Sequence, residues 1–186
     1  MPLWDQILDL QAKMVDLREA HFLHNVLFTY QWWILVTQTI LVWVVWGVLV
    51  DRKRLRNILI VGLSSIVIAV ILDDIGITLG LWNYPYTIFP FSTRFNSVDM
   101  GVIPVAFMLI YQYCRSWRTY VFIAILFAIY ASFISEPFFV KLNMYTIIHW
   151  KHFYSAPIYV AVGIIVRGVA NMVEWIEQKA RENEGS

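Results

Sequence analysis

Between residues 20 and 50 the chain carries no Asp, Glu, Lys or Arg. Residues 32–50 alone can cross a hydrocarbon core of roughly 30 Å as a helix. Uncharged windows recur at 57–72, 101–114, 119–135 and 153–166. With 60% hydrophobic and 15% charged residues, against about 45–50% and about 25% in soluble domains, the chain has too little polar surface to cover a core in water. The pattern predicts an all-α, polytopic membrane helical bundle with five transmembrane helices, at about 32–50, 56–78, 98–114, 119–136 and 153–173. The lipid bilayer is the partner this composition demands. Nucleic acid is excluded: 14 basic and 13 acidic residues give a net charge of +1, with no basic stripe. The single cysteine, Cys114, excludes an internal disulfide and reads as a small apolar residue at a helix end.

Basic residues set the orientation. Arg52, Lys53, Arg54 and Arg56 follow the first span, Arg115 and Arg118 follow the third, and Arg167, Lys179 and Arg181 accompany the fifth. Five spans put these nine on one side and Lys13, Arg18, Arg94, Lys141 and Lys151 on the other. The expected location is therefore the plasma membrane, with the N-terminus outside and the C-terminus cytoplasmic. No basic segment precedes an early apolar run, so no cleavable signal peptide is expected. Residues 1–24 form a separate amphipathic helix, with Leu3, Ile7, Leu10, Met14 and Leu17 on one face. It would lie on the membrane surface or on the bundle, or make a short coiled-coil contact. After the membrane domain (25–173), residues 174–186 read as a polar cytoplasmic tail with Glu177 and Arg181 spaced to pair.

The basic anchors also serve as rulers. Asp73 lies 17 residues after Arg56, Asp99 lies 16 before Arg115, and Glu136 lies 18 after Arg118. At about 1.5 Å per residue these are heights of roughly 25, 24 and 27 Å. His152 and His149, 15 and 18 residues before Arg167, reach a similar level if the helix extends that far. Unpaired charges at that depth are costly, so the groups should face one another. Asp73 shares its helix side with Gly62, Ala69, Gly76 and Gly80, a small-residue stripe interrupted by Ile66 and containing the GITLG spacing. Asp74 shares its side with Leu63, Val67, Val70 and Ile77, so Asp73 is the inward acid. Two aromatic loops cover this level. LWNYPYTIFPFSTRFNS offers Trp82, Tyr84 and Arg94, and EPFFVKLNMYTIIHWKH offers Tyr145, His149, Trp150 and His152.

The segments LDDIGITLGLWNYPY, VDMGVIPVAFMLIYQY followed by Trp117, EPFF, WKHFYSAPIY and HFLHNVLFTYQWW together resemble an uncharacterised family of small multi-spanning membrane proteins of spore-forming Firmicutes. The resemblance covers about residues 20–170. It implies an integral membrane protein of this size and assigns no activity. The family pattern falls on Asp73, Gly80, Trp82, Tyr84, Asp99, Pro104, Gln112, Glu136, Pro137, Trp150, Tyr154 and Pro157.

Three readings follow. The first is an outward-facing acidic and aromatic pocket for an ion or small ligand, built from Asp73, Asp99, Glu136, Trp82, Tyr84, Arg94, Tyr145, His149, Trp150 and His152. His149 and His152 are i,i+3 and could face one point on a helix; a pore would need homo-oligomerisation or a partner subunit. The second is a structural polar layer without ligand, with Arg94, Lys141 and Lys151 answering the acids. The third is a membrane-embedded enzyme. An acid, the Gly80-Leu81-Trp82 stretch and EPFF are similar to the integral-membrane lycopene and terpenoid cyclases, although VDMGVIP stands where a paired-acid motif is expected there. That similarity implies acid catalysis on a lipid or isoprenoid. No GxSxG, HExxH or P-loop identifies a cofactor or a hydrolytic centre, and which residues would be catalytic stays open.

Overall fold

The computed structural model describes residues 2–91 and 96–184. It is 81% helical, an all-α chain. Helix α1 (Leu3–His21) leads through a π-helical turn (Phe22–Val26) and the left-handed Phe28, at φ 62°, into α2 (Tyr30–Leu49). Thr29 starts α2 by accepting from the Trp32 amide at 3.3 Å. Helix α3 (Leu55–Thr78) is followed by a two-residue strand, β1 (Trp82–Asn83), and then by a π-turn (Val98–Val102) that opens α4 (Ile103–Tyr113). Ser116 caps α5 (Trp117–Tyr130), which passes through a third π-turn (Ala131–Ser135) into α6 (Glu136–Lys141). Strand β2 (Thr146–Ile147) and the long helix α7 (His152–Glu184) complete the chain. The strands pair antiparallel, Trp82 opposite Ile147 and Asn83 opposite Thr146.

Among the described residues four helices are long and apolar enough to cross a membrane: Tyr30–Leu49, Arg52–Thr78, Trp117–Lys141 and His152–Asn183. The segment read from sequence as a third span is the shorter apolar helix Val98–Tyr113. Pro104 explains the irregularity at its start. Lacking an N–H, it cannot bond the carbonyl four residues back, and its ring crowds that carbonyl. The carbonyl belongs to Met100, and it accepts instead from Trp43 Nε1 of α2 at 3.0 Å.

Helix α3 packs chiefly against α4 and α7, and α5 against α7, while α2 lies at the side against α4 and its π-turn. On α3 the buried residues are Ile58, Val61, Gly62, Ser65, Ala69, Asp73 and Gly76, a 3–4 spacing that keeps one face inward. Leu63 and Val67 are 62% and 57% exposed on the other. The core is centred on Phe107, Met108, Tyr120, Ala124 and Val166. It closes tightly: a Cβ on Gly62 would lie 2.5 Å from Met108 Sδ, and one on Gly163 2.7 Å from Phe107 Cε1. Tyr120 OH donates to the Gly163 carbonyl at 2.7 Å.

One end of the bundle is knotted by arginines. Arg167, only 5% exposed, donates from Nη1 to the carbonyls of Cys114 (3.0 Å) and Ser116 (3.1 Å), and from Nη2 to that of Arg115. The Cys114 and Arg115 carbonyls lie just past the end of α4, and the Ser116 carbonyl also accepts from the Tyr120 amide at 3.0 Å as α5 begins. The Arg167 guanidinium also stands 4.7 and 4.6 Å from the ring centres of Trp117 and Tyr120. Gln112 accepts from the Asp51 amide at 2.9 Å and donates to the Leu49 carbonyl at 2.8 Å, closing the end of α2. Arg56 pairs with Glu177, so the Glu177–Arg181 spacing read from sequence gives way to a bond between helices. A long-range partner on α3 is available because α7 continues as helix through the polar tail. Helix α1 buries none of its residues. Its end is tied down by buried Phe22 and Val26 and by His21 Nε2, 3.1 Å from the Pro85 carbonyl.

Arg167→Met should therefore lower the stability of the detergent-purified protein by about 2–4 kcal/mol, since three charge-assisted bonds vanish and the carbonyl of the buried Cys114 loses its side-chain donor. Arg115→Met, at an exposed position, should change it by less than about 0.5 kcal/mol. Thermal unfolding of both variants checks this, and equal losses would contradict the capping role.

Candidate functional site

At the other end, the close of α3 decides the geometry. Gly80 is left-handed, at φ 67°, and two bonds finish the helix: Gly80 N to Ile77 O at 3.0 Å and Leu81 N to Gly76 O at 2.9 Å. This is a Schellman stop, which only glycine enters without strain. It folds the following strand back over the helix it has just left. The Leu81 carbonyl then accepts from the Ile148 and His149 amides at 2.9 and 3.0 Å, joining the second loop to the first. The ring of Trp82 lands on Gly76, where a Cβ would lie 2.0 Å from Trp82 Cζ2. The GITLG spacing thus serves a ring and a turn, not a helix–helix crossing.

Asp73 receives both loop aromatics on one oxygen. Trp82 Nε1 and Tyr84 OH each donate to Oδ1 at 2.8 Å. The second oxygen, Oδ2, is buried with no hydrogen-bond partner among the described residues. Asp99, on the π-turn before α4, is 6% exposed, and its Oδ2 is likewise buried without a partner among the described residues. Burial, then the charges of Asp99 and Asp73, push the Tyr84 phenol well above its ordinary range, so Tyr84 stays a neutral donor. Burial first, then Glu136, Asp73 and Asp99, does the same to the Tyr145 phenol.

Glu136 differs in being fully engaged. The third π-turn delivers it, and its Oε2 lies 2.9 Å from His152 Nδ1, while Tyr159 OH donates to Oε1 at 3.3 Å. Trp150 Nε1 donates to Ser155 Oγ at 3.0 Å. The rings of Trp82 and Trp150 meet edge to face at 4.9 Å, and those of Tyr84 and Tyr145 stack at 5.3 Å.

These groups enclose two adjoining cavities. One, of about 190 Å³, is lined by all three acids and by Trp82, Trp150 and Ser155 among others. The other, of about 80 Å³, reaches toward Tyr86, Asn96 and Phe139. They share Tyr84, Asp99, Ile103, Glu136, Tyr145 and Tyr159 as common wall. The structure thus brings together Asp73, Asp99, Glu136, Trp82, Tyr84, Tyr145 and Trp150, with His152 attached through Glu136.

His149 stands apart. It is exposed, precedes α7, and its Nδ1 lies 3.2 Å from the Gly80 carbonyl, so the i,i+3 histidine pair read from sequence does not face one point. Among the described residues no three His, Cys, Asp or Glu side chains are grouped to hold a metal ion. Lys141 and Lys151 are exposed and line neither cavity; Arg94 lies outside the described residues. Among the described lining residues there is no Lys or Arg at all. Tyr159 was missed from the sequence. It follows His152 on the same face of α7 as Ser155, at i+7 and i+3 respectively, a spacing that would have found it. No family model, curated protein or solved structure matches the chain.

Gly76→Ala should lower stability by about 1–3 kcal/mol by pushing the Trp82 ring off its seat. In a Trp82→Ala background the same change should cost less than about 0.5 kcal/mol, because the two positions are coupled only through that ring. A double-mutant cycle on unfolding in detergent reads this, and equal costs in both backgrounds would contradict the seating.

Proposed function

We propose that this chain is an integral protein of the plasma membrane that crosses the bilayer five times, N-terminus outside and C-terminus cytoplasmic, and that its two-lobed cavity binds a small ligand entering from the outer side. The exposed surface supports the membrane reading. Leu63, Val67, Phe122 and Ile134 are each more than half exposed, and a water-soluble monomer rarely presents such a continuous apolar surface. Five crossings are supported by the way the links sort. Arg54 donates to the Gln112 carbonyl at 3.2 Å, Arg167 caps Cys114, and Arg56 meets Glu177. These contacts gather the basic links at one end, and the paired strands and both aromatic loops meet at the other. Val98–Tyr113 is then the short central span, its depth completed by the loop above it.

The observation that carries the ligand reading is that Asp73 and Asp99 line one cavity and each holds a buried carboxyl oxygen, Oδ2, without a partner among the described residues. A buried polar group left unmatched costs about 1–3 kcal/mol or more, a cost that a bound ligand would offset. A purely structural layer would use its acids as Glu136 is used. A membrane enzyme acting on an isoprenoid is the second reading, favoured by the apolar wall of Ala69, Leu72, Ile158 and Val162 beneath the carboxyls; conversion of a polyprenyl substrate, lost in Asp99→Asn, would select it.

Two measurements test the proposal. With Cys114 changed to Ala, a membrane-impermeant maleimide should label Asn83→Cys on intact cells and Lys53→Cys only after permeabilisation; the reverse pattern would overturn the orientation. Glu136→Gln should lower stability by about 1–3 kcal/mol through loss of the His152 pair, whereas Asp99→Asn should leave it within about 0.5 kcal/mol or raise it. A large loss in Asp99→Asn would make the acids structural.

A further inference from the structure

Resting on that reading, we infer that the ligand is a small organic ammonium ion, held against Asp99 and Asp73 inside the aromatic walls. The two cavities share Asp99, which is 6% exposed and has an oxygen with no partner among the described residues. Trp82 and Tyr84 both donate to Asp73 Oδ1, while Oδ2 is buried with no partner among the described residues, and Asp73 lines the larger cavity. No Lys or Arg stands among the described lining residues, and a positively charged ligand would complement these acids.

The walls select the kind of cation. Trp82, Trp150, Tyr84, Tyr145 and Tyr159 line the larger cavity. Aromatic rings around a carboxylate favour a weakly hydrated organic cation through the ring quadrupole, most strongly when water is excluded. A hard inorganic cation such as Ca²⁺ needs six to eight oxygens around it. Here Glu136 is already spent on His152 and Tyr159, and no metal-holding group of three is found among the described residues. Below the acids the wall becomes Ala69, Ile158 and Val162, which suits the hydrocarbon arm of an amine.

Choline and 3,3-dimethylbutan-1-ol have nearly the same shape and differ in whether a nitrogen cation or a carbon stands at the branched centre. The full-length protein, purified in a non-ionic detergent, is unfolded thermally with each, at equal ionic strength set by NaCl. Choline should raise the melting temperature by about 3 °C or more at about 10 mM, the alcohol by less than a third of that, and NaCl or MgCl₂ by nothing. Asp99→Asn and Trp150→Leu should each abolish the choline shift; the wild-type comparison stands even if a variant fails to fold. Equal shifts with choline and the alcohol would overturn the ammonium inference while leaving a small-ligand cavity. No shift with either probe would overturn the inference, and combined with a large stability loss in Asp99→Asn would overturn the ligand reading as well. A shift with MgCl₂ alone would replace the ammonium with an inorganic cation.

Discussion

One oxygen of Asp73 holds the roof of this molecule to its walls. Trp82 and Tyr84 come from a loop with two prolines and little regular structure, yet both end on that oxygen at 2.8 Å. Their arrival depends on a helix that stops at Gly80 and on a Gly76 that leaves room for an indole. Once Trp82 is seated, the edge-to-face contact with Trp150 and the backbone bonds to Leu81 bring in the second loop. The stacked Tyr84 and Tyr145 finish the wall. A carboxylate near the end of a helix thus organises residues more than sixty positions away.

The two ends of the bundle treat polar groups in opposite ways. At the basic end most donors meet acceptors: the Arg167 Nη groups take the carbonyls of the turn between α4 and α5, although Nε is buried without a partner among the described residues, and Gln112 closes α2. At the acidic end, Glu136 is matched but Asp73 and Asp99 each keep an oxygen idle among the described residues. In an apolar environment both arrangements have large energetic consequences. Two of the three π-turns sit beside acids of the cavity, at Asp99 and just before Glu136, a placement often found where a helix must present a functional side chain.

Much of the helix plan was legible because charge is so sparse. Uncharged windows locate α2, α3, α5 and the first half of α7, which continues as helix far beyond its window, and the small-residue face of α3 follows from its periodicity. The convergence of the three acids was legible too, since a helix converts residue count into distance at a fixed rise. What stayed hidden depended on backbone departures from that rise, or on side chains that reach far. His149 lies in a non-helical return shaped by pairing with Leu81, so helical spacing misplaces it. Arg167 reads as a boundary marker, yet its long side chain turns inward to cap a different helix. Tyr159 escapes a search for charges because a phenol carries none, although its place on α7 beside Glu136 is helical and regular. The division of labour within GITLG depends on where the chain goes after Gly80, which the motif does not state.

The central claim is that the buried carboxyl of Asp99 belongs to a ligand and not to the protein. A high-resolution map of the protein in lipid nanodiscs, prepared without added amines beyond those of the source cells, tests it most directly. The account predicts ordered non-protein density against Asp99 Oδ2, enclosed by Trp82, Tyr84, Tyr145 and Trp150. A collapsed cavity in which a protein donor satisfies that oxygen would contradict it.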